Sequence, residues 1–169
     1  TTLPPNTGFL TLRLTTTQAG VTDTYSTSVG IAGGYLAGYP KQLNTSAAYA
    51  APKVVDLDQD GDMELVQGTS NGSVYVLNPN GTIVPGWPKA VGTAHILGAP
   101  AIGDIDGDGD NEVVAAAYGS IAGGGSLGAW HHTGALIAGW PKATVAVRSS
   151  VTLVNLDADA ALEIMVTGG

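Results

Sequence analysis

Cysteine is absent from this 169-residue chain, which excludes disulfides, thiolate zinc sites and thiol catalysis. Basic residues are nearly as scarce. Six Lys and Arg form no basic stripe, so nucleic acid and anionic membrane are poor partners for a chain of net charge −8. Long apolar runs are missing too, because glycine breaks each one, and no segment is suited to insert in a bilayer. The opening Thr1-Thr2-Leu3-Pro4-Pro5 lacks the basic-then-apolar shape of a signal peptide, consistent with a signal already removed. No stretch keeps a helical period. The motifs of common enzymes are also lacking: there is no Gly-x-Ser-x-Gly elbow, no phosphate-binding glycine loop before a helix and no His-Glu-x-x-His. A serine triad can be assembled on paper from His95, Asp23 and any of several serines, but nothing in the spacing selects it. The chain is expected not to be an enzyme.

What the chain does contain is concentrated. Hydrophobic residues make up 44%, enough for a real core, while charged residues make up only 12%. Thirteen of the fourteen acidic residues fall in three short clusters, and Asp23 alone lies elsewhere. Carboxylates packed this closely repel one another unless a cation sits among them. The clusters repeat. Val54-Val55-Asp56-Leu57-Asp58-Gln59-Asp60-Gly61-Asp62-Met63-Glu64-Leu65-Val66 aligns without gaps on Ile102 to Val114, and Leu153 to Val166 gives a third copy. The spacing is 48 residues from Asp56 to Asp104 and 51 from Asp104 to Asn155, about the length of a four-stranded β unit. A second marker keeps the same phase: Gly38-Tyr39-Pro40-Lys41, Gly86-Trp87-Pro88-Lys89 and Gly139-Trp140-Pro141-Lys142.

Between the markers the pattern reads as strands. Ala51 to Leu57 is a short apolar run, Glu64 to Gln67 another, Ser73 to Leu77 alternates, and Thr82-Ile83-Val84 leads into Trp-Pro-Lys, giving four strands per repeat. Asn71-Gly72, Asn80-Gly81 and Thr133-Gly134 carry hairpin-turn chemistry between them. Upstream, Gly8 to Thr15 alternates, Gln18-Ala19-Gly20 turns, and Val21 to Val29 returns, so a Thr-rich hairpin precedes the repeats. It is suited to an edge within its own domain or to adding a strand to a neighbour.

These residues resemble the FG-GAP or VCBS repeats of integrin-α-like β-propellers, in which each blade carries an Asp-x-Asp-x-Asp-Gly calcium loop; the resemblance covers roughly residues 28 to 169. It implies propeller-type blades, calcium and an extracellular or cell-surface setting. The fold class is therefore all-β, with blades of four antiparallel strands, about three repeats and partial blades at both ends. A single repeat domain over 1–169 divides into a hairpin and partial blade (1–41), two blades with calcium loops (42–91 and 92–143) and a partial blade with a degenerate loop (144–169).

Calcium takes six to eight oxygens in loose geometry, which alternate acidic residues on a tight loop can supply; magnesium demands a tighter octahedron. The expected ligands are Asp56, Asp58, Asp60, Asp62 and Glu64 in the first loop, and Asp104, Asp106, Asp108, Asp110 and Glu112 in the second. Gly61 and Gly109 allow the reversal. An EF-hand is excluded, because its twelfth position needs a glutamate before a helix and here holds Gln67 and Ala115. In the third copy Asn155 replaces the first Asp, Ala160 the glycine and Ala161 the following Asp, while Asp157, Asp159 and Glu163 remain, so Asn155, Asp157, Asp159 and Glu163 are its ligand candidates. Alanine at a left-handed position is costly, so weak binding or none is expected there.

His131-His132 read as exposed turn residues, aligned with Asn78-Pro79. Trp87, Trp140 and Tyr39 read as packing markers rather than a sugar platform. Asn44-Thr45-Ser46, Asn71-Gly72-Ser73 and Asn80-Gly81-Thr82 fit the N-glycosylation pattern, and two of them are equally turn signals. The function expected is a secreted, calcium-binding module for adhesion or structural assembly. Its partners are further copies of itself or another extracellular protein. Two copies closing a ring would make six blades, and pairing that fails to close would make a filament. The alternative is a polysaccharide-binding accessory domain of a secreted hydrolase.

Overall fold

The computed structural model describes residues 7–18, 21–32, 38, 41–43, 49–92, 95–119 and 124–168, with 7–32 described through their backbone. Tyr39, Pro40 and the Asn44-Thr45-Ser46 pattern lie outside these residues. The chain divides into two compact units, Thr1–Pro40 and Lys41–Gly169. In the first, β1 (Thr7–Gln18) and β2 (Val21–Ala32) pair antiparallel from Gln18↔Val21 out to Thr7↔Ala32, a two-stranded sheet of their own. Their many threonines and valines suit the pleated backbone, where a β-branched side chain loses little freedom.

The second unit repeats one plan. β3 (Lys53–Val55), β4 (Glu64–Gly68), β5 (Ser73–Leu77) and β6 (Lys89–Ala90) form an antiparallel sheet in chain order. β7 (Ala101–Gly103), β8 (Glu112–Ala117), β9 (Gly125–His131) and β10 (Lys142–Thr144) form another. β11 (Thr152–Val154) and β12 (Glu163–Met165) pair as a third, two-stranded sheet. All described secondary structure is strand or turn, as the all-β reading expects, and the sheets do not close on one another. The hairpin signals hold: Gly72, Gly81 and Gly134 take positive φ, and the Asn71 and Asn80 side chains accept N–H bonds two residues on.

The fourth strand differs from its expected extent. Ile83 makes only an isolated bridge to Leu77, and regular pairing resumes at Lys89–Ala90 against Ser73–Val74. Pro85 and Pro88 offer no N–H to a ladder and Gly86 stands at φ 91, so the chain leaves the sheet between the two contacts. Ile83 and Leu136 hold the same place in their sheets, and Trp87-Pro88 and Trp140-Pro141 are both cis.

Strand alternation builds two cores. On β8, Val113, Ala115 and Ala117 face a cluster with Val66, Val74 and Val76 of the preceding repeat and with Ile96. Val114 and Ala116 face the other way, into a cluster with Val147, Val151 and Leu153. The middle sheet is thus buried on both faces, which explains why β8 is a continuous apolar run rather than an alternating one.

The Trp-Pro-Lys marker locks neighbouring sheets together. Trp87 is buried, lies edge-on to Trp130 at 6.1 Å between centroids, and donates from Nε1 to the His132 carbonyl at 3.0 Å. Any side chain at Gly86 would run into the Thr133 carbonyl, so glycine is required there for contact as well as for φ. Both tryptophans act as packing residues, Trp140 half-buried with the Lys142 ammonium 5.8 Å from its ring centroid. Trp87→Ala is expected to cost about 3–5 kcal/mol in urea unfolding and half-buried Trp140→Ala distinctly less. Equal costs would contradict the locking role.

Candidate metal centre

Each acidic loop joins the first two strands of its sheet. Across the base of the loop, Val55 faces Glu64, Gly103 faces Glu112 and Val154 faces Glu163. Register therefore brings the closing glutamate back over the loop's start, and its Oε2 accepts the N–H of the second loop residue. The bonds are 3.0 Å from Leu57 to Glu64, 3.0 Å from Ile105 to Glu112 and 2.6 Å from Leu156 to Glu163. Leu57 is buried and Ile105 packs on the second core, so an apolar anchor sits between acidic neighbours.

Other carboxylates brace the turn. Asp56 Oδ2 accepts from Gly61 at 3.1 Å; Asp104 accepts from Gly107 at 2.6 Å and Gly109 at 2.9 Å. Asp60 Oδ1 takes the Asp62 N–H at 2.8 Å, and Asp108 Oδ1 the Asp110 N–H at 2.9 Å. One oxygen from each of Asp56, Asp58 and Glu64 gathers within 4.8 Å of the others; so do Asp157, Asp159 and Glu163. In the second loop Asp106, Asp108 and Glu112 gather likewise, joined by His131. Of the expected ligands, Asp60 and Asp62 stand outside the first carboxylate set, and Asp104 and Asp110 outside the second.

The first set fits a hard cation on an observation of its own. Asp56 Oδ1 is shielded from solvent and has no hydrogen-bond partner, and a bare carboxylate oxygen in that position is costly unless a cation meets it. Among the residues whose side chains are described, no Lys or Arg lies within 4.0 Å of a carboxylate, and the ion pairs are those of His131 and His132. Calcium bound there would draw on Asp56, Asp58 and Glu64 and supply the missing positive charge. A cleft of about 520 Å³, lined in part by Asp58, Glu64, Val84, Pro85 and His132, opens beside this loop.

Burial raises Glu64 above the ordinary glutamate range. The Leu57 N–H pulls the other way, and the charges of Asp58, Asp60 and Asp56 add to the rise. Glu112 is raised too, first by burial, against the Ile105 N–H and His131 and with Asp106 and Asp108. For Asp104, burial raises the value but four backbone donors outweigh it, at Gly107, Gly109, Asp106 and Asp108, and hold it below the ordinary range.

The histidines differ from expectation. Both are half-buried, not exposed. His131 ends β9 directly across from Glu112, which opens β8, and its Nδ1 lies 3.1 Å from Glu112 Oε1. His132 Nδ1 lies 3.7 Å from Asp110 Oδ2. Alignment of the repeats placed His132 in the turn correctly, but His131 is the last residue of β9, and cross-strand register was the available signal.

The third loop departs differently from the way its sequence suggests. Ala160 does not carry the positive φ of Gly61 and Gly109; instead Ala158 takes φ 71, matching Gln59 at 61 and Gly107 at 80. Asn155 Oδ1 accepts from Ala158, while its Nδ2 donates to the Asp159 carbonyl at 2.6 Å. An amide can brace the loop in both directions but brings no negative charge. The loops also bond to each other. Asn111 Nδ2 reaches the Asp56 carbonyl at 3.3 Å, Gln59 Nε2 the Gly109 carbonyl at 3.0 Å, and the Leu162 N–H the Asp104 carbonyl at 2.9 Å.

Residues 56–115 match the model of the FG-GAP-like repeat, from the first residue of the first loop into β8. In structure the chain is similar to the V. cholerae biofilm matrix protein Bap1, at a TM-score of 0.57 and 19% identity over 94% of this chain. The chain spans 28% of that protein's length. No curated protein matches the sequence.

The two raised glutamates set a pH dependence for the calcium-free chain. A raised folded value means that the folded state holds more protons, so this stability is full below the unfolded value and is lost as pH rises through the folded one. Asp104 acts oppositely, losing its contribution only as pH falls below the ordinary aspartate range. In chelator the thermal midpoint is expected to fall between about pH 4.3 and neutrality, and added calcium to cancel the fall. A midpoint rising over that interval contradicts the assignment.

Proposed function

We propose that the chain is a non-enzymatic, calcium-stabilised extracellular module for adhesion or matrix structure, which associates with further copies of itself. The observation that carries this reading is the unpartnered, shielded oxygen of Asp56 within a three-carboxylate set whose plan recurs in every sheet of the second unit. Calcium at the first two loops would neutralise half of a net charge of −8, and such an ion is abundant outside cells. The FG-GAP-like repeat and the likeness to a biofilm matrix protein support that setting. No helix among the described residues is long and apolar enough to cross a membrane. With thirteen of fourteen acidic residues in the loops, few carboxylates remain for acid–base chemistry.

Self-association draws its support from the sheet faces. Ile102, Val113 and Trp130 stand side by side across β7, β8 and β9 and pack toward the preceding sheet. The same row in the first sheet is Val54, Leu65 and Leu77, followed by Ile83, with Val54 66% and Ile83 39% exposed. In the last repeat Val145, Leu156 and Met165 are exposed in turn. A sheet from one copy laid on the first sheet of the next would repeat the packing already made twice within the chain. Because the two surfaces differ, such a contact is heterologous and gives a ring or a filament.

Light scattering after size exclusion tests both halves. With calcium as the sole divalent ion two bound ions per chain are expected, with particles larger than one chain in calcium and a single chain in chelator. Val54→Asp is expected to abolish assembly without loss of calcium. Single chains in both conditions would overturn the assembly reading, and calcium-free protein at millimolar calcium would overturn the metal reading.

A further inference from the structure

The two complete loops are not alike at one place. In the first sheet, Asn78 stands across from the start of β4 and donates from Nδ2 to Thr82 Oγ1 at 2.9 Å, within its own turn. In the second sheet the same two places hold His131 and Ala135. Alanine offers no side-chain acceptor, and the imidazole lies against the acidic loop instead. His131 Nδ1 is 3.1 Å from Glu112 Oε1 and 4.0 Å from Asp106 Oδ2, and with Asp108 the four ligand atoms fall within 4.8 Å of one another. Glu112 is fully buried, so the oxygen facing the imidazole cannot turn to water.

We propose that His131 is a ligand of the second loop's ion and makes that loop a zinc-type site, while the all-oxygen first loop keeps calcium. This rests on the reading that the loops bind divalent cations. Imidazole is a preferred ligand of zinc and the later first-row ions, whereas calcium takes oxygen almost exclusively. The set is compact enough to share one ion. Ligands at about 2.1 Å from a tetrahedral zinc sit about 3.4 Å apart, and His131 Nδ1 stands at 3.1 and 4.0 Å from its two neighbours. Donor chemistry rather than spacing selects the ion. Nδ1 ligates when its proton is carried on Nε2, and Glu112 then moves from hydrogen-bond partner to fellow ligand without leaving its place. The donor set becomes one nitrogen and three carboxylates.

The test uses the full chain in millimolar calcium, titrated with zinc by calorimetry and with cobalt(II) as the spectroscopic probe. One zinc or cobalt per chain is expected, with the visible absorption of an imidazole-ligated cobalt. His131→Asn, which installs the residue of the first sheet, is expected to weaken zinc at least tenfold while the first loop still takes calcium. If that variant unfolds, the reciprocal change decides: Asn78→His with Thr82→Ala is expected to give a second cobalt site. Zinc held equally by wild type and His131→Asn overturns the role of His131. So does a chain that takes calcium in both loops and no cobalt, which leaves the calcium reading intact. A chain that takes neither ion overturns both.

Discussion

A glutamate folded back over its own loop is the contact on which the second unit depends. It opens the second strand of each sheet, sits across from the last residue of the first strand, and holds the N–H of the second loop residue. That single bond fixes where the loop begins relative to where it ends. It also forces a carboxylate out of water, fully so at Glu112, among others of the same charge. The rest of each of the first two loops answers that cost. Backbone N–H groups turn inward onto Asp56 and Asp104, Leu57 and Ile105 anchor the loops to the cores, and oxygens of three carboxylates gather in each. The answer is incomplete at Asp56 Oδ1, in a set that could hold a cation.

The same elements that make each sheet also join it to the next. The Gly-Trp-Pro-Lys segment leaves its own sheet because its prolines cannot pair, and the departure delivers Trp87 to the Trp130 ring and the His132 carbonyl. At the loops, the residue just before the closing glutamate reaches the first carbonyl of the preceding loop, by side chain at Asn111 and by backbone at Leu162. A repeat of 48 to 51 residues is thus a unit of docking as well as of strand count.

Much of this was legible because it recurs. Two markers in one phase gave the period, and Asn-Gly turns gave the hairpins, since few residues tolerate the required φ. What stayed hidden depended on a partner elsewhere. Gln59 at φ 61 carries no mark of its own, although Gly107 at the same place in the next copy was a hint. His131 looked like a turn residue because its neighbour, Glu112, lies nineteen positions away and is brought close only by strand pairing. Ala160 was expected to suffer at a left-handed position, yet it does not take the φ of Gly61 and Gly109; the third loop keeps only the positive φ that Ala158 shares with Gln59 and Gly107, and Asn155 bonds both ways. An argument from one residue misses how the rest of the loop turns.

The bonds between loops have a mechanical consequence. They run from sheet to sheet, in series, one or two at each junction, beside bonds such as Trp87 to His132 and Val151 to Ala99 and the apolar contacts. The ladders inside a sheet act in parallel, several bonds sharing one load. Tension applied along the stack would therefore load the junctions between sheets before the ladders within them, and because the apolar cores lie at those same junctions, opening one would cost each sheet the face it packs on.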